Sequence, residues 1–124
     1  MIPTVIQVAL GGAVGASLRY GANLGIGRLL GAAFPWHTLA VNVIGSALMG
    51  GLMVLLAHRG QQQLAPFLMT GILGGFTTFS AFSMDTISLA QRGETALAAG
   101  YVLASVLFSL AAFVCAAAVM RSLI

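Results

Sequence analysis

Nearly the whole chain is taken up by four long apolar stretches, set apart by short polar or glycine- and proline-bearing breaks. The first runs from about Pro3 to Leu30, with Pro3 suited to a first helical turn, where its missing N–H costs nothing. Gly31 and Pro35 mark the turn that follows. The second stretch spans about Trp36 to Ala57 and opens on Trp36 and His37, residue types that favour a membrane–water boundary. The run His58-Arg59-Gly60-Gln61-Gln62-Gln63 is the only clearly polar one and reads as a solvated loop. The third stretch covers about Ala65 to Leu89 and is closed by Gln91-Arg92-Gly93-Glu94, and the fourth runs from about Thr95 to Met120, ahead of Arg121. Each is long enough for the roughly 20 apolar residues that one helical crossing needs. The pattern predicts an all-α membrane protein, a single domain over 1–124 with four transmembrane helices.

Composition strengthens this reading. Of 124 residues, 60% are hydrophobic and only 6% charged, whereas a soluble domain carries about a quarter charged residues. Such a chain cannot cover itself with water-compatible groups, so its outer face must meet lipid. The pI near 10 comes from five scattered arginines, Arg19, Arg28, Arg59, Arg92 and Arg121, against Asp85 and Glu94. They form no basic stripe, which excludes nucleic acid as a partner. The single Cys115, set among apolar neighbours, reads as a small buried or lipid-facing residue. No basic residue precedes Arg19, so the first helix lacks the charged start of a signal peptide and is expected to be retained.

Four crossings put Arg59 and Arg121 on one side and Arg28 and Arg92 on the other. This tie gives the positive-inside rule nothing to act on. It fits a weak signal and a chain that inserts both ways equally well. Glycines spaced four apart (Gly11 and Gly15, Gly21 and Gly25, Gly27 and Gly31, Gly71 and Gly75) permit close backbone approach between helices.

Several residues are out of place in lipid. Arg19 lies near the middle of the first stretch, among Ser17, Tyr20 and Asn23, with no acid in the first two spans to pair with it. Either it snorkels to an interface or it supplies a positive vestibule. Thr38, Asn42 and Ser46 share one face of the second helix, and Tyr101, Ser105 and Ser109 share one face of the fourth. The third stretch carries the strongest signal, Gly71-Ile72-Leu73-Gly74-Gly75-Phe76-Thr77-Thr78-Phe79-Ser80-Ala81-Phe82-Ser83. Two glycines followed by two threonines are poor helix formers and predict a break, tolerated at membrane depth where the freed carbonyls line a cavity or bind a cation such as Na⁺. Phe79 and Phe82 follow on one face, with Ser80 and Ser83 beside them.

This polar set is almost all hydroxyl and amide, and the only acid near it is Asp85, toward the far end of the third span. A cation path would place carboxylates or carbonyls along its length. Donors, an arginine nearby and the partly positive edges of phenyl rings suit a small anion. Two other readings remain at this point: a proton-coupled small multidrug-type transporter, which the lack of an acid in the first span disfavours, and a non-transporting membrane scaffold. No catalytic residue and no enzymatic activity are expected.

The chain resembles the CrcB/Fluc fluoride channels. The likeness rests on Gly11-Gly12-Ala13-Val14-Gly15-Ala16-Ser17-Leu18-Arg19-Tyr20, Val41-Asn42-Val43-Ile44-Gly45 and Gly74-Gly75-Phe76-Thr77-Thr78-Phe79-Ser80-Ala81-Phe82. The resemblance implies an antiparallel, dual-topology homodimer with two pores at the subunit interface, exporting fluoride passively across the bacterial inner membrane. It implies that Phe79 and Phe82 are pore phenylalanines, that Asn42 supports fluoride beside them, and that Ser80, Tyr101, Ser105, Ser109 and Thr38 are polar pore positions. It places Arg19 near the vestibule and gives the carbonyls of Gly74 and Thr77, from both subunits, a central structural Na⁺. The family pattern has threonine where this chain has Ala81, which removes a hydroxyl beside the phenylalanines.

Overall fold

The computed structural model describes residues 1–124. Helix α1 spans Thr4–Leu30 and α2 spans Trp36–Arg59. After a 3₁₀ turn at Gln62–Leu64, a π-helical segment, Pro66–Leu73, runs into the single turn α3, Gly74–Phe76. The backbone leaves the helix at Thr77 and Thr78 and resumes as α4, Phe79–Gln91. Helix α5, Thr95–Leu123, completes the chain. There are no strands. The four expected helical stretches are all present, with small extensions: His58 and Arg59 finish α2 instead of opening the loop, and α5 continues three residues past Met120.

Trp36–Arg59, Gln62–Gln91 and Thr95–Leu123 are long and apolar enough to cross a membrane. With 27 residues, α1 is about 40 Å long at 1.5 Å per residue, but its glycines and Gln7, Ser17, Arg19, Asn23 and Arg28 make it less apolar than the others. Large apolar side chains project outward along α1, α2, α4 and α5, Leu107, Phe108 and Val114 of α5 among them. The buried hydrophobic set is small: Val41, Leu56, Leu73, Leu89, Ala98, Tyr101 and Ala117. Cys115 is exposed.

Two parallel pairs organise the fold. In the first, α1 lies directly on the π segment and α3. A Cβ added at Gly11 would strike the Phe67 carbonyl and Gly71 Cα, one at Gly15 would overlap the Ile72 carbonyl, and one at Gly75 would press on the Gly12 carbonyl. Gly11, Gly15, Gly71 and Gly75 therefore interlock backbone to backbone, the kind of contact that joins helices when lipid removes any hydrophobic drive. Gly21, Gly25, Gly27 and Gly31 have open space at the Cβ position, so only two of the four spaced pairs serve packing within the protomer. In the second pair, Gly50 of α2 abuts the backbone of Phe113 in α5.

The break falls at the two threonines of the expected window, with the two glycines still helical. Gly74 and Gly75 keep helical geometry, whereas Thr77 (φ −83°, ψ 158°) and Thr78 (φ −151°, ψ 118°) are extended. The reason is visible in the packing: the Gly75 position is consumed by contact with α1, and the chain departs only where a partner waits for its freed backbone groups.

Substitution at two neighbouring glycines separates these roles. Gly15→Leu is expected to lower the thermal midpoint of the purified protein strongly, because overpacking of this kind costs about 1–3 kcal/mol or more. Gly12→Ala, at a position with open space for a methyl, is expected to be neutral or stabilising by up to about 1 kcal/mol. Thermal unfolding followed by size-exclusion chromatography reads both, and equal midpoints would refute the interlock.

Candidate functional site: a polar groove at the helix break

Asn42 holds the break. Its Oδ1 accepts the Thr78 N–H at 2.8 Å, and its Nδ2 donates to the Thr78 carbonyl at 3.0 Å. One side-chain amide thus pairs with one residue's main chain as a neighbouring strand would. The Thr78 hydroxyl caps α4 by accepting the Ala81 N–H at 3.1 Å, and shares a hydrogen bond with Ser80 Oγ at 3.3 Å. Such a cap satisfies one of the donors orphaned at a helix start. The Thr77 N–H and hydroxyl both donate to the Leu73 carbonyl at 3.0 Å. Gly45, one turn beyond Asn42 on α2, leaves the room that the Thr77 methyl fills.

These bonds divert the donors that a continuous helix would send elsewhere. The Thr78 N–H would serve Gly74 in an unbroken helix, and the Ala81 N–H would serve Thr77. One goes to Asn42 and the other to Thr78 Oγ1, which releases the carbonyls of Gly74 and Thr77. The Gly75 carbonyl is taken by Arg19, whose Nε donates to it at 3.1 Å. The central arginine of α1 is therefore tied to the third span by a main-chain acceptor, a partner that a search for acids could not reveal.

Beside the break lies a groove of about 400 Å³. Asn42, Ser46, Thr77, Thr78, Phe79, Phe82, Ser105 and Ser109 converge on it, joined by Gly45, Met49, Val106, Leu110 and Phe113. None of these side chains is charged. The Phe79 and Phe82 rings stand 5.4 Å apart, inclined at 59°, a tilt that turns edges and faces in different directions. Phe79 is 78% exposed, so the groove lacks a wall on that side. Ser105 Oγ is buried without a partner, leaving a hydroxyl free to donate. Asn42 Nδ2 carries a second hydrogen beyond the one given to Thr78.

The other expected positions lie around the groove. Tyr101 (0% exposed) and Thr38 (1%) are sealed beyond one end. The Tyr101 ring stacks at 5.3 Å from Phe82 and meets Phe34 edge-on at 5.5 Å. Its hydroxyl donates to Asp85 Oδ2 at 3.2 Å. That contact alters the picture of a lining made purely of free donors, because the Tyr101 proton is already committed to a carboxylate. Ser80 is exposed beside Thr78, outside the groove lining; Arg19 lies on α1 against Gly75, and Gly74 is exposed, neither of them in the lining. Sequence reasoning missed Thr78 as the cap, Gly45 as the clearance and Asp85 as the partner of Tyr101. The first two had a signal: a threonine three residues before Ala81 is placed to cap a helix, and Gly45 is one turn from Asn42. No cluster of three His, Cys, Asp or Glu side chains suited to a metal exists, so any cation here would depend on the carbonyls.

The chain is similar to proteins named "Fluoride-specific ion channel FluC" from several bacteria. The one from Paracoccus denitrificans is 59% identical over 120 residues, covering 97% of this chain and 96% of that protein. The one from Cereibacter sphaeroides is 59% identical over 121 residues, covering 98% and 97%. The one from Agrobacterium fabrum is 49% identical over 121 residues, covering 96% and 97%. The family model described as "CrcB-like protein, Camphor Resistance (CrcB)" matches residues 6–117, and with likeness extending over nearly the whole length, this chain belongs to the CrcB family.

Proposed function

We propose that this protein is a fluoride-selective channel that lets fluoride leave the cell passively, spanning the bacterial inner membrane with four helices. The observation that carries the reading is the uncharged groove at the break, where two phenylalanines, the Asn42 amide and the Ser105 and Ser109 hydroxyls meet. Fluoride is small and tightly hydrated. A path for it must replace water with donors, and must do so without a fixed cation that would hold the ion in place. Ring edges and a few hydrogen bonds supply graded stabilisation. The family membership and the names of the relatives agree with this chemistry.

An antiparallel homodimer completes the site. The groove is open where Phe79 projects, and a second copy packed there would supply the absent wall. The tie between Arg28 and Arg92 on one side and Arg59 and Arg121 on the other supports insertion in both orientations. The relation would be two-fold, so each copy would give and receive the same surface and two equivalent paths would result. Arg19, with its Nε bonded to Gly75, keeps its terminal nitrogens for a vestibule that draws anions toward the break. Ser80, Thr38 and Tyr101 extend the polar path beyond the groove at either end.

The released carbonyls of Gly74 and Thr77 fit a hard cation such as Na⁺, which takes oxygen ligands. Four of them, two from each copy, would hold it and lock the copies together. The ion would supply structural charge balance, with no part in conduction.

Three outcomes test this. Liposomes carrying the purified protein are expected to release fluoride far faster than chloride, without a proton gradient, as read by ion-selective electrodes; equal rates, or dependence on a proton gradient, would exclude the channel reading. Phe82→Ile removes a ring edge worth about 1 kcal/mol, and Asn42→Ala leaves both Thr78 main-chain groups unpaired at about 1–3 kcal/mol each. Phe82→Ile is expected to reduce fluoride flux about fivefold and Asn42→Ala about tenfold or more, 1.36 kcal/mol being a factor of ten, while the assembly keeps its size on chromatography. Unchanged flux in both would remove these residues from the path. Exchanging Na⁺ for N-methylglucamine is expected to lower the thermal midpoint of the assembly, and restoring Na⁺ to recover it. An indifferent midpoint would dismiss the cation.

A further inference from the structure

A second groove, of about 570 Å³, lies between α2, the π segment and α5, sharing no lining residue with the groove at the break. Ten of its eleven lining residues are hydrophobic, with Leu52, Leu55, Leu68, Ile72, Ala116 and Met120 among them. Its long apolar walls match an acyl chain. Its mouth is distinctive. On α2, Leu55 stands one turn before His58 and Arg59, and on α5 Met120 is followed at once by Arg121. The two helices run parallel, and continuing the offset that sets Gly50 against Phe113 brings the Arg59 end of α2 level with the Arg121 end of α5. The two arginines therefore flank the same end of the groove. Both are exposed, and neither has an ionic partner, the only ion pair being Arg92 with Glu94.

Among the side chains, the charge at this end is one-sided. Glu94 directly precedes α5, and Asp85 is bonded to Tyr101 in the second turn of that helix, so both acids lie at the opposite end from Arg121. The exposed amides of Gln61, Gln62 and Gln63, in the loop between α2 and the π segment, add neutral donors. Arginines at helix C-termini also suit the helix dipole, but that accounts for neither the groove beneath them nor the absence of acids.

We infer that this groove seats one acyl chain of an anionic phospholipid, with the phosphate held between Arg59 and Arg121. Guanidinium groups bind phosphate through paired hydrogen bonds, and basic pockets between transmembrane helices select anionic headgroups. The site is separate from the break and rests only on the chain's being embedded in a membrane, so it stands or falls independently of fluoride conduction. In a protein inserted both ways, each leaflet would meet one such site.

Native mass spectrometry of the purified full chain, released from detergent with equimolar phosphatidylglycerol and phosphatidylcholine of identical acyl chains, tests this. The wild type is expected to retain phosphatidylglycerol about tenfold more than phosphatidylcholine, and excess inorganic phosphate is expected not to displace it, because a free ion lacks the acyl chain. The R59Q/R121Q double variant, altered only at exposed positions, is expected to lose the preference while keeping its thermal midpoint. Ala116→Phe, which fills the groove and leaves both arginines, is expected to lose retention of both lipids; Leu55→Trp does the same from the opposite wall should the first variant fold poorly. Equal retention of the two lipids by the wild type, a preference that survives R59Q/R121Q, or displacement by phosphate alone would overturn the assignment. So would a wild-type assembly that retains neither lipid because a second copy covers the groove.

Discussion

One side-chain amide sets the terms for this molecule. Asn42 gives Thr78 the two hydrogen bonds that an interrupted helix would otherwise leave unmade. Each group left unpaired would cost about 1–3 kcal/mol, so the third span opens where such a partner stands. Once it opens, the rest follows. Thr78 is free to cap α4, α4 starts afresh with Phe79 and Phe82 aimed beside α2, and the carbonyls of Gly74 and Thr77 are left without their helical donors. The polar groove is a by-product of satisfying one extended residue.

The other side of the break is braced by different means. Gly11, Gly15, Gly71 and Gly75 bring α1 into backbone contact with the third span, and Arg19 holds the Gly75 carbonyl just before the chain leaves the helix. Close packing limits where the π segment and α3 can move, while the arginine satisfies an acceptor that helical geometry no longer serves. A charge placed mid-helix in an apolar chain is expensive unless it is bonded, and here it is bonded to main chain. The break is thus fixed from two sides, by an amide on α2 and a guanidinium on α1, and the ends of α3 and α4 inherit that precision.

Much of this was legible in the residues. Four apolar runs with caps and turns between them gave four rods at nearly the right limits, because hydrophobic length is a strong signal in chains that meet lipid. Asn42, Ser105 and Ser109 were marked by helical spacing, and they do meet Phe79 and Phe82 in one groove. The break was placed in a window of two glycines and two threonines, and it opens at the threonines, Thr77 and Thr78. Glycine weakens a helix in isolation, yet Gly74 and Gly75 stay helical because contact with α1 needs a residue without a side chain there, and local propensity cannot see a neighbouring rod. The π segment at Pro66–Leu73 left no mark in the pattern. Arg19 and Tyr101 were recognised as misplaced polar groups, but their partners were not: one is a main-chain carbonyl, and the other lies on a different helix, sixteen positions away.

Position 81 shows how structure and chemistry can be parted at a single residue. The cap on α4 takes the amide hydrogen of Ala81 and asks nothing of its methyl group. A residue that tolerates the first turn of a helix can therefore stand there without disturbing that bond. The cap is indifferent to the side chain at this site, so the residue can change one atom at a time without renegotiating the joint.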